Sequence, residues 1–167
     1  LILMGPKSLL RHKRCVSTLE DMGQNTTFHR VMYDRPPSEV DQAVERVVLC
    51  SGKVYYDLEA QREELGLTDK VALVRLEQLA PFPEDAVLRE LSRYPTSAKF
   101  VWCQEESRNM GAWFFVMPRI ENLMESLGVP QRRLAYAGRK PSASPATGSL
   151  SQHEREQKAL VSEALLG

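Results

Sequence analysis

Apolar residues in this chain fall into short unbroken runs, separated by stretches where they recur every third or fourth position. The runs at 47–50 (VVLC) and 71–76 (VALVRL) and the segment 99–104 (KFVWCQ) show little alternation, the pattern of strands buried on both faces. Weaker strands are expected at 1–4 (LILM), broken by Gly5 and Pro6, at 28–33, ended by Pro36 and Pro37, and at 133–137. Between them the period lengthens to that of a helix. Ser38 is placed to cap a short helix through 45, with Val40, Ala43 and Val44 on one face. Ser51 and Gly52 turn the chain into a helix over 53–65, where Tyr55, Leu58, Arg62 and Leu65 share a face and Gly66 is the stop. Pro81, Phe82 and Pro83 form a rigid corner, Pro83 being suited to the first position of a helix to 94. A polar turn at 105–111 leads to a helix over 113–127, bent at Pro118 and ended by Gly128. The stretch 138–149, rich in Pro, Ser, Ala and Gly, reads as a surface loop. Ser151 and Glu154 then have capping-box spacing at the start of a closing helix to Leu166. Strands alternating with helices predict an α/β fold over 1–167: one domain, three layers, a mainly parallel sheet with helices on both faces.

Composition narrows the function. With 167 residues, 43% hydrophobic and 26% charged, the chain is an ordinary globular sequence. No apolar run approaches the roughly 18 residues of a membrane helix, so no membrane partner is expected. Lys plus Arg is 22 and Asp plus Glu is 22. A nucleic-acid binder carries a basic excess, so nucleic acid is not an expected partner either, and any anion site must be a local pocket. The three cysteines, Cys15, Cys50 and Cys103, are odd in number and far apart, without a C-x-x-C pair. That spacing argues against a disulfide framework or a zinc site and for a reducing compartment. Cys50 and Cys103, each ending an apolar run, read as buried structural thiols. The chain begins inside an apolar run without a Met, the mark of a piece of a longer polypeptide.

Chemistry is sparse. In open α/β sheets ligands bind beyond the carboxyl ends of the strands, where helix N-termini present free N–H groups. Ser51, Gly52 and Lys53 sit at such a turn and could surround a phosphate, although the Walker A spacing is absent and a plain turn with a solvated Lys is the default reading. Arg75 follows an apolar strand and reads either as an ion pair with Glu77 or as a second cation beside Lys53. Gln104, Glu105 and Glu106 end the next strand, where neighbouring side chains point to opposite faces; a helix cap or a partner for Arg75 is the expected role. His12, His29 and His153 lie in three different contexts, and no G-x-S-x-G elbow, H-E-x-x-H or G-x-G-x-x-G motif is present. No catalytic, cofactor-binding or metal-binding residue is expected within this chain. The basic clusters at 11–14, 132–133 and 139–140 read as solvated surface. The run from Trp113 to Met117 (WFFVM) is apolar on all sides, as expected of a segment buried against another domain or subunit.

Five stretches together resemble one family: PKSLLRH (6–12), CSGKVYYDL (50–58), RLEQLAPFP (75–83), WCQEESRNMGAW (102–113) and YAGRKPSASPATG (136–148). They resemble the C-terminal region of the 2-oxoglutarate dehydrogenase family, the thiamine-diphosphate-dependent decarboxylating component of that complex. The resemblance spans essentially the whole chain and is weakest over 18–45. A relative acting on 2-oxoadipate shares the SGK and QEE-x-x-N-M-G pieces but is less similar at LEQLAPFP and PSASPATG. The resemblance implies a transketolase C-terminal-type domain, part of a longer multidomain chain that packs in a homodimer. Thiamine diphosphate, Mg²⁺ and the catalytic histidines would belong to upstream domains of the same polypeptide. It further implies a parent oxidoreductase of the tricarboxylic acid cycle, which oxidatively decarboxylates 2-oxoglutarate and passes succinyl to the lipoyl group of a dihydrolipoyl succinyltransferase partner. The isolated piece would be inactive. Some members bind an allosteric acyl-CoA or adenine nucleotide through this domain, with Ser51, Lys53, Arg75 and Gln104 as candidate effector-binding residues here. Two alternatives remain open: a free-standing acyl-CoA- or nucleotide-binding module, and an interaction module that docks a partner through 113–117. Bacterial cytoplasm is the expected location, with mitochondrial matrix the alternative.

Overall fold

The computed structural model describes residues 2, 4–33 and 39–167. In chain order its regular elements are β1 (Val31–Tyr33), β2 (Arg46–Cys50), α1 (Val54–Glu64), β3 (Val71–Leu76), α2 (Glu84–Leu91), β4 (Lys99–Ser107), α3 (Trp113–Ser126), β5 (Ala135–Arg139) and α4 (Leu150–Leu166). Short 3₁₀ turns occupy Lys7–Arg11, Glu20–Met22 and Glu39–Ala43. The five strands form one sheet in the order β1-β3-β2-β4-β5. β2, β3, β4 and β5 are parallel, and β1 closes one edge antiparallel to β3. The expected mainly parallel α/β sheet is what forms, consistent with a transketolase C-terminal-type arrangement.

Alternate side chains of the central strands feed two cores. Val47 and Leu49 of β2, Val74 of β3, and Phe100 and Trp102 of β4 pack with Val87 and Leu91 of α2 and Val116 and Ile120 of α3. Val48 and Cys50, Leu73, and Val101 and Cys103 pack on the other face with Leu58 of α1 and Leu160 and Leu165 of α4. Parallel strands covered on both faces have no polar side to show, which is why their sequence does not alternate. Burial of these side chains, at roughly 1.5–3 kcal/mol each, is the main stabilising term.

Several boundaries differ from expectation. Ile2 and Met4 join no strand and are exposed; an apolar run with no sheet edge to pair with does not make a strand, and residues 1 and 3 lie outside the described residues. The strand expected at 28–33 shrinks to the three residues of β1, and the Pro36, Pro37 and Ser38 signals also fall outside. The short helix ahead of β2 is a 3₁₀ turn, held by the buried Asp41, which pairs with Arg93 at 2.9 Å while Arg93 also pairs with Glu90 at 2.7 Å. Pro83 precedes α2 by one residue instead of opening it, and α2 stops at Leu91, short of Tyr94. α1 buries Val54, Leu58 and Arg62, leaving Leu65 exposed.

β4 runs through Glu105 and Glu106 to Ser107, where a polar turn is expected, with a register shift against β5 between Gln104 and Ser107. β5 lies two residues later than expected. α3 continues through Pro118, and its apolar run is split: Trp113 and Val116 are buried, whereas Phe114 is 62% exposed. α4 begins at Leu150, so Ser151 lies inside the helix and forms no capping box; its hydroxyl meets that of Ser149 at 3.0 Å. Leu49, fully buried at the centre of the sheet, offers a direct test of the core. Leu49→Ala is expected to cost about 2–5 kcal/mol of stability, read from the midpoint of a urea unfolding curve at unchanged slope.

Candidate functional site

Beyond the carboxyl ends of β2 and β4 the chain leaves a cleft of about 550 Å³, lined by Ser51, Lys53, Leu79, Gln104, Glu105 and Phe115 among others. β2 ends at Cys50, and the turn into α1 passes through Gly52 at φ +72°, a left-handed conformation that glycine adopts without strain. β4 reaches the same end of the sheet two strands from β3, so β3, β2 and β4 bring Arg75, Ser51 with Lys53, and Gln104 to neighbouring strand ends. Three of the four candidate effector residues, Ser51, Lys53 and Gln104, line this cleft; Arg75 does not.

Gln104 is 3% exposed and its amide is fully engaged. Its Oε1 accepts the Trp102 indole N–H and the Trp113 backbone N–H, each at 3.0 Å. Its Nε2 donates to the carbonyl of Met110 at 2.8 Å and approaches those of Ser107 at 3.2 Å and Glu106 at 3.3 Å. The expectation of a helix cap is met by this residue, since Trp113 opens α3. Gly111, at φ +65°, lies against the amide, and a Cβ there would sit 3.0 Å from Gln104 Nε2. Gln104 therefore shapes the cleft wall, with no free donor to offer a ligand.

Lys53 forms an ion pair with Glu105, on the cleft wall. Glu105 Oε1 also accepts from Gln157 at 3.0 Å, and the same Gln157 Nε2 reaches Asp57 at 2.7 Å. Arg139, expected to be solvated, is largely covered: it donates to the Glu105 carbonyl at 2.7 Å and to Gln157 Oε1 at 3.0 Å, and pairs with Glu156 at 3.1 Å. In the other two basic clusters, Arg14 pairs with Glu63 at 2.6 Å and Arg133 with Glu121 at 3.1 Å while both stay open to solvent.

Lys53 also borders a second cleft of about 360 Å³, between the start of α1 and the first turns of α4, with His12, Tyr56, Asp57, His153 and Lys158 in its lining. Two of the three histidines thus share one site, contrary to the reading of three separate contexts; the fold brings the segment after Pro6 against α1 and the first turn of α4. The His12 and Tyr56 rings meet at a tilt of 43° with centroids 4.8 Å apart. Arg75 sits behind them. Its guanidinium lies 4.4 Å from the Tyr55 ring centroid, donates to Tyr56 Oη at 3.4 Å and meets Glu77 at 3.7 Å. Burial, followed by the contact with Cys15, raises the Tyr56 phenol above its ordinary range, while Arg75 opposes the rise. Tyr56, Arg139, Gln157 and the His12–His153 proximity carried no local sequence signal: each depends on partners far away in the chain.

A family model described as 2-oxoglutarate dehydrogenase C-terminal matches residues 16–165. The chain belongs to this family. Relatives agree. The 2-oxoglutarate dehydrogenase E1 component of Brucella anthropi is 48% identical over 173 aligned residues, covering 99% of this chain and 17% of its own length. Those of Brucella ovis and Brucella canis are 47% identical with the same coverage. The chain thus spans 17% of the length of the curated relatives it matches. In this 2-oxoglutarate dehydrogenase C-terminal region, no group of three or more His, Cys, Asp or Glu could hold a metal ion among the described residues, and none of their helices is long and apolar enough to cross a membrane.

The thiols of this C-terminal region are free, Cys50 and Cys103 buried and Cys15 exposed. Cys50 and Cys103 are register partners on β2 and β4. Burial pushes the Cys50 thiol up to about 12 from an ordinary 9.0 and raises Cys103 well above its ordinary value, the neighbouring thiol adding to the effect. A raised acid favours the fold while protonated. The contribution of Cys50 is complete below pH 9.0 and is lost as pH rises toward about 12. Cys50→Ala is expected to flatten the alkaline limb of a stability–pH curve, and iodoacetamide should leave both buried thiols unmodified until denaturant is added. Gln104→Leu is expected to orphan the Trp102 and Trp113 N–H groups, at about 1–3 kcal/mol for each group left buried, measured by urea unfolding.

Proposed function

We propose that this chain is the C-terminal domain of a thiamine-diphosphate-dependent 2-oxoglutarate dehydrogenase, shaping the subunit and carrying an effector site rather than a reacting group. The observation that carries this reading is identity of 47–48% across 99% of the chain to proteins of that name. The parent polypeptide would oxidatively decarboxylate 2-oxoglutarate and hand succinyl to the lipoyl group of a dihydrolipoyl succinyltransferase. When bound, thiamine diphosphate supplies the carbon nucleophile and electron sink for loss of carbon dioxide. The described residues do not fit that cofactor's diphosphate and Mg²⁺: no group of three or more metal-ligating side chains gathers among them, and Glu105 on the wall of the Gln104 cleft is tied up by Lys53 and Gln157. The cofactor is therefore assigned to upstream domains of the same polypeptide. The exposed Phe114, with Phe115 at 36% exposure, supports burial of the start of α3 against those domains or a second subunit of a homodimer. Bacterial relatives favour the bacterial cytoplasm.

The effector reading has its own support. Lys53, His12, His153 and Lys158 converge on the second cleft against two acids, Asp57 and Glu154. The neighbouring His12 and Tyr56 rings offer an aromatic surface for an adenine, and the cations a site for the phosphates of an acyl-CoA or adenine nucleotide. Arg75 contributes from behind by holding Tyr56, and Ser51 and Gln104 by fixing the turn and the strand end beside Lys53.

The natural polypeptide carrying this sequence is expected to have a mass several times 19.0 kDa and, with thiamine diphosphate and Mg²⁺, to release carbon dioxide from 2-oxoglutarate faster than from 2-oxoadipate. A mass near 19 kDa, or no release, rejects the parent reaction and leaves a binding or interaction module. Acetyl-CoA binding by that polypeptide is expected to weaken about tenfold or more in Lys53→Ala, which removes a charge-assisted contact, and measurably in Arg75→Ala. Unchanged affinity in both rejects the effector site.

A further inference from the structure

Lys53 alone, among the described residues, lines both clefts. Its ammonium is paired with Glu105 on the wall of the Gln104 cleft, while the same residue lines the cleft that holds His12 and His153. We infer that Lys53 is an exchangeable cation. A phosphate or diphosphate entering the histidine-lined cleft draws Lys53 off Glu105, so that one ligand event changes the charge of the other cleft. This inference rests on the effector reading above and names how that site communicates.

The exchange is physically easy. The Lys53 side chain is 34% exposed and that of Glu105 is 21% exposed, so solvent screens the pair and little is lost on breaking it. A lysine ammonium carries three rotatable donors on a flexible stem and can swing between acceptors, which an arginine fork does less readily. Glu105 is not stranded when Lys53 leaves, because Gln157 keeps its hydrogen bond to the same carboxylate at 3.0 Å. The backbone does not follow either: Arg139 holds the Glu105 carbonyl at 2.7 Å and Gln104 anchors the preceding residue in the core.

On the receiving side, His12, His153 and Lys158 already face the cleft, and Asp57 is engaged by Gln157 at 2.7 Å. On the releasing side, Glu105 and Glu106 remain in a cleft whose other lining residues, Ser51, Gln104, Leu79 and Phe115 among them, carry no charge. That cleft passes from charge-paired to acidic. By linkage, whatever prefers the acidic form of the Gln104 cleft tightens anion binding on the other side of Lys53 by the same factor.

The test is calorimetric titration of ADP, as the diphosphate probe, into the full-length polypeptide and three variants. Glu105→Gln removes the competing charge and keeps a hydrogen-bond acceptor for Gln157; it is expected to bind ADP about twofold to fivefold tighter, the range of a partly exposed ion pair. Lys53→Met is expected to bind about tenfold weaker or worse. In the Lys53→Met background, Glu105→Gln should bring no gain, because the two changes act on one pair. Unchanged or weaker binding in Glu105→Gln, or an equal gain in both backgrounds, overturns the exchange while leaving the effector site standing. No ADP or acetyl-CoA binding by the unaltered protein removes both. Near-ultraviolet circular dichroism of each variant, expected to be unchanged, separates lost contacts from lost folding.

Discussion

A buried primary amide cannot be left half-satisfied, and at Gln104 this requirement organises the functional end of the sheet. The side chain has two acceptor lone pairs and two donors in a region almost closed to water, and every one must find a partner within the same few residues. Its carbonyl oxygen takes the Trp102 indole and the first N–H of α3; its nitrogen takes the Met110 carbonyl and shares those of Glu106 and Ser107. Those contacts fix where β4 bulges, how tightly the 108–112 segment turns and where α3 starts. The space between β2 and α3 follows from them, so the Gln104 cleft is the consequence of one amide's hydrogen bonds. Gly111 is part of the same constraint, since only a residue without Cβ adopts φ +65° there without pressing on that amide.

How far the sequence disclosed this follows from where each signal is generated. β2, β3 and the start of β4 are legible because burial on two faces makes the local sequence continuously apolar, whatever the rest of the chain does. Their parallel pairing is legible from the helices between them. β5 is not: AYAGR carries one aromatic and a glycine, and its register is set by β4 across the bulge, so its boundaries move by two residues. The extension of β4 through Glu105 and Glu106 escapes notice because both are polar, yet the ladder with β5 continues to Ser107. At the other extreme, residues 1–4 look like a strand by composition, but Ile2 and Met4 meet no edge.

The candidate site divides in the same way. Strand-end logic places Ser51, Lys53, Arg75 and Gln104 at the carboxyl ends of strands, since it depends only on parallel direction; that those strands are neighbours comes from the sheet order. What those residues do depends on partners that no local pattern announces. Gln104 is an internal brace, and Arg75 is stacked on Tyr55 and bonded to Tyr56 rather than facing the Gln104 cleft. His12 and His153 line one cleft across a separation of most of the chain, and nothing in the residues around either one encodes the other.

Net neutrality looks different once these contacts are known. A chain with as many acids as bases projects little long-range field, so any preference for anions must come from how local pairs are disposed. Most basic side chains here are committed: Arg14 to Glu59 and Glu63, Arg93 to Asp41 and Glu90, Arg139 to Glu156 and the end of β4. Arginine forks, fixed in geometry, do the bracing; Lys53, with a mobile ammonium and a partly exposed partner, stands between two cavities. The division has a physical logic. A frame built from rigid, multiply bonded guanidinium groups can hold its shape while a single weakly held ammonium changes partner, so a change of charge at one strand end need not disturb the sheet that carries it.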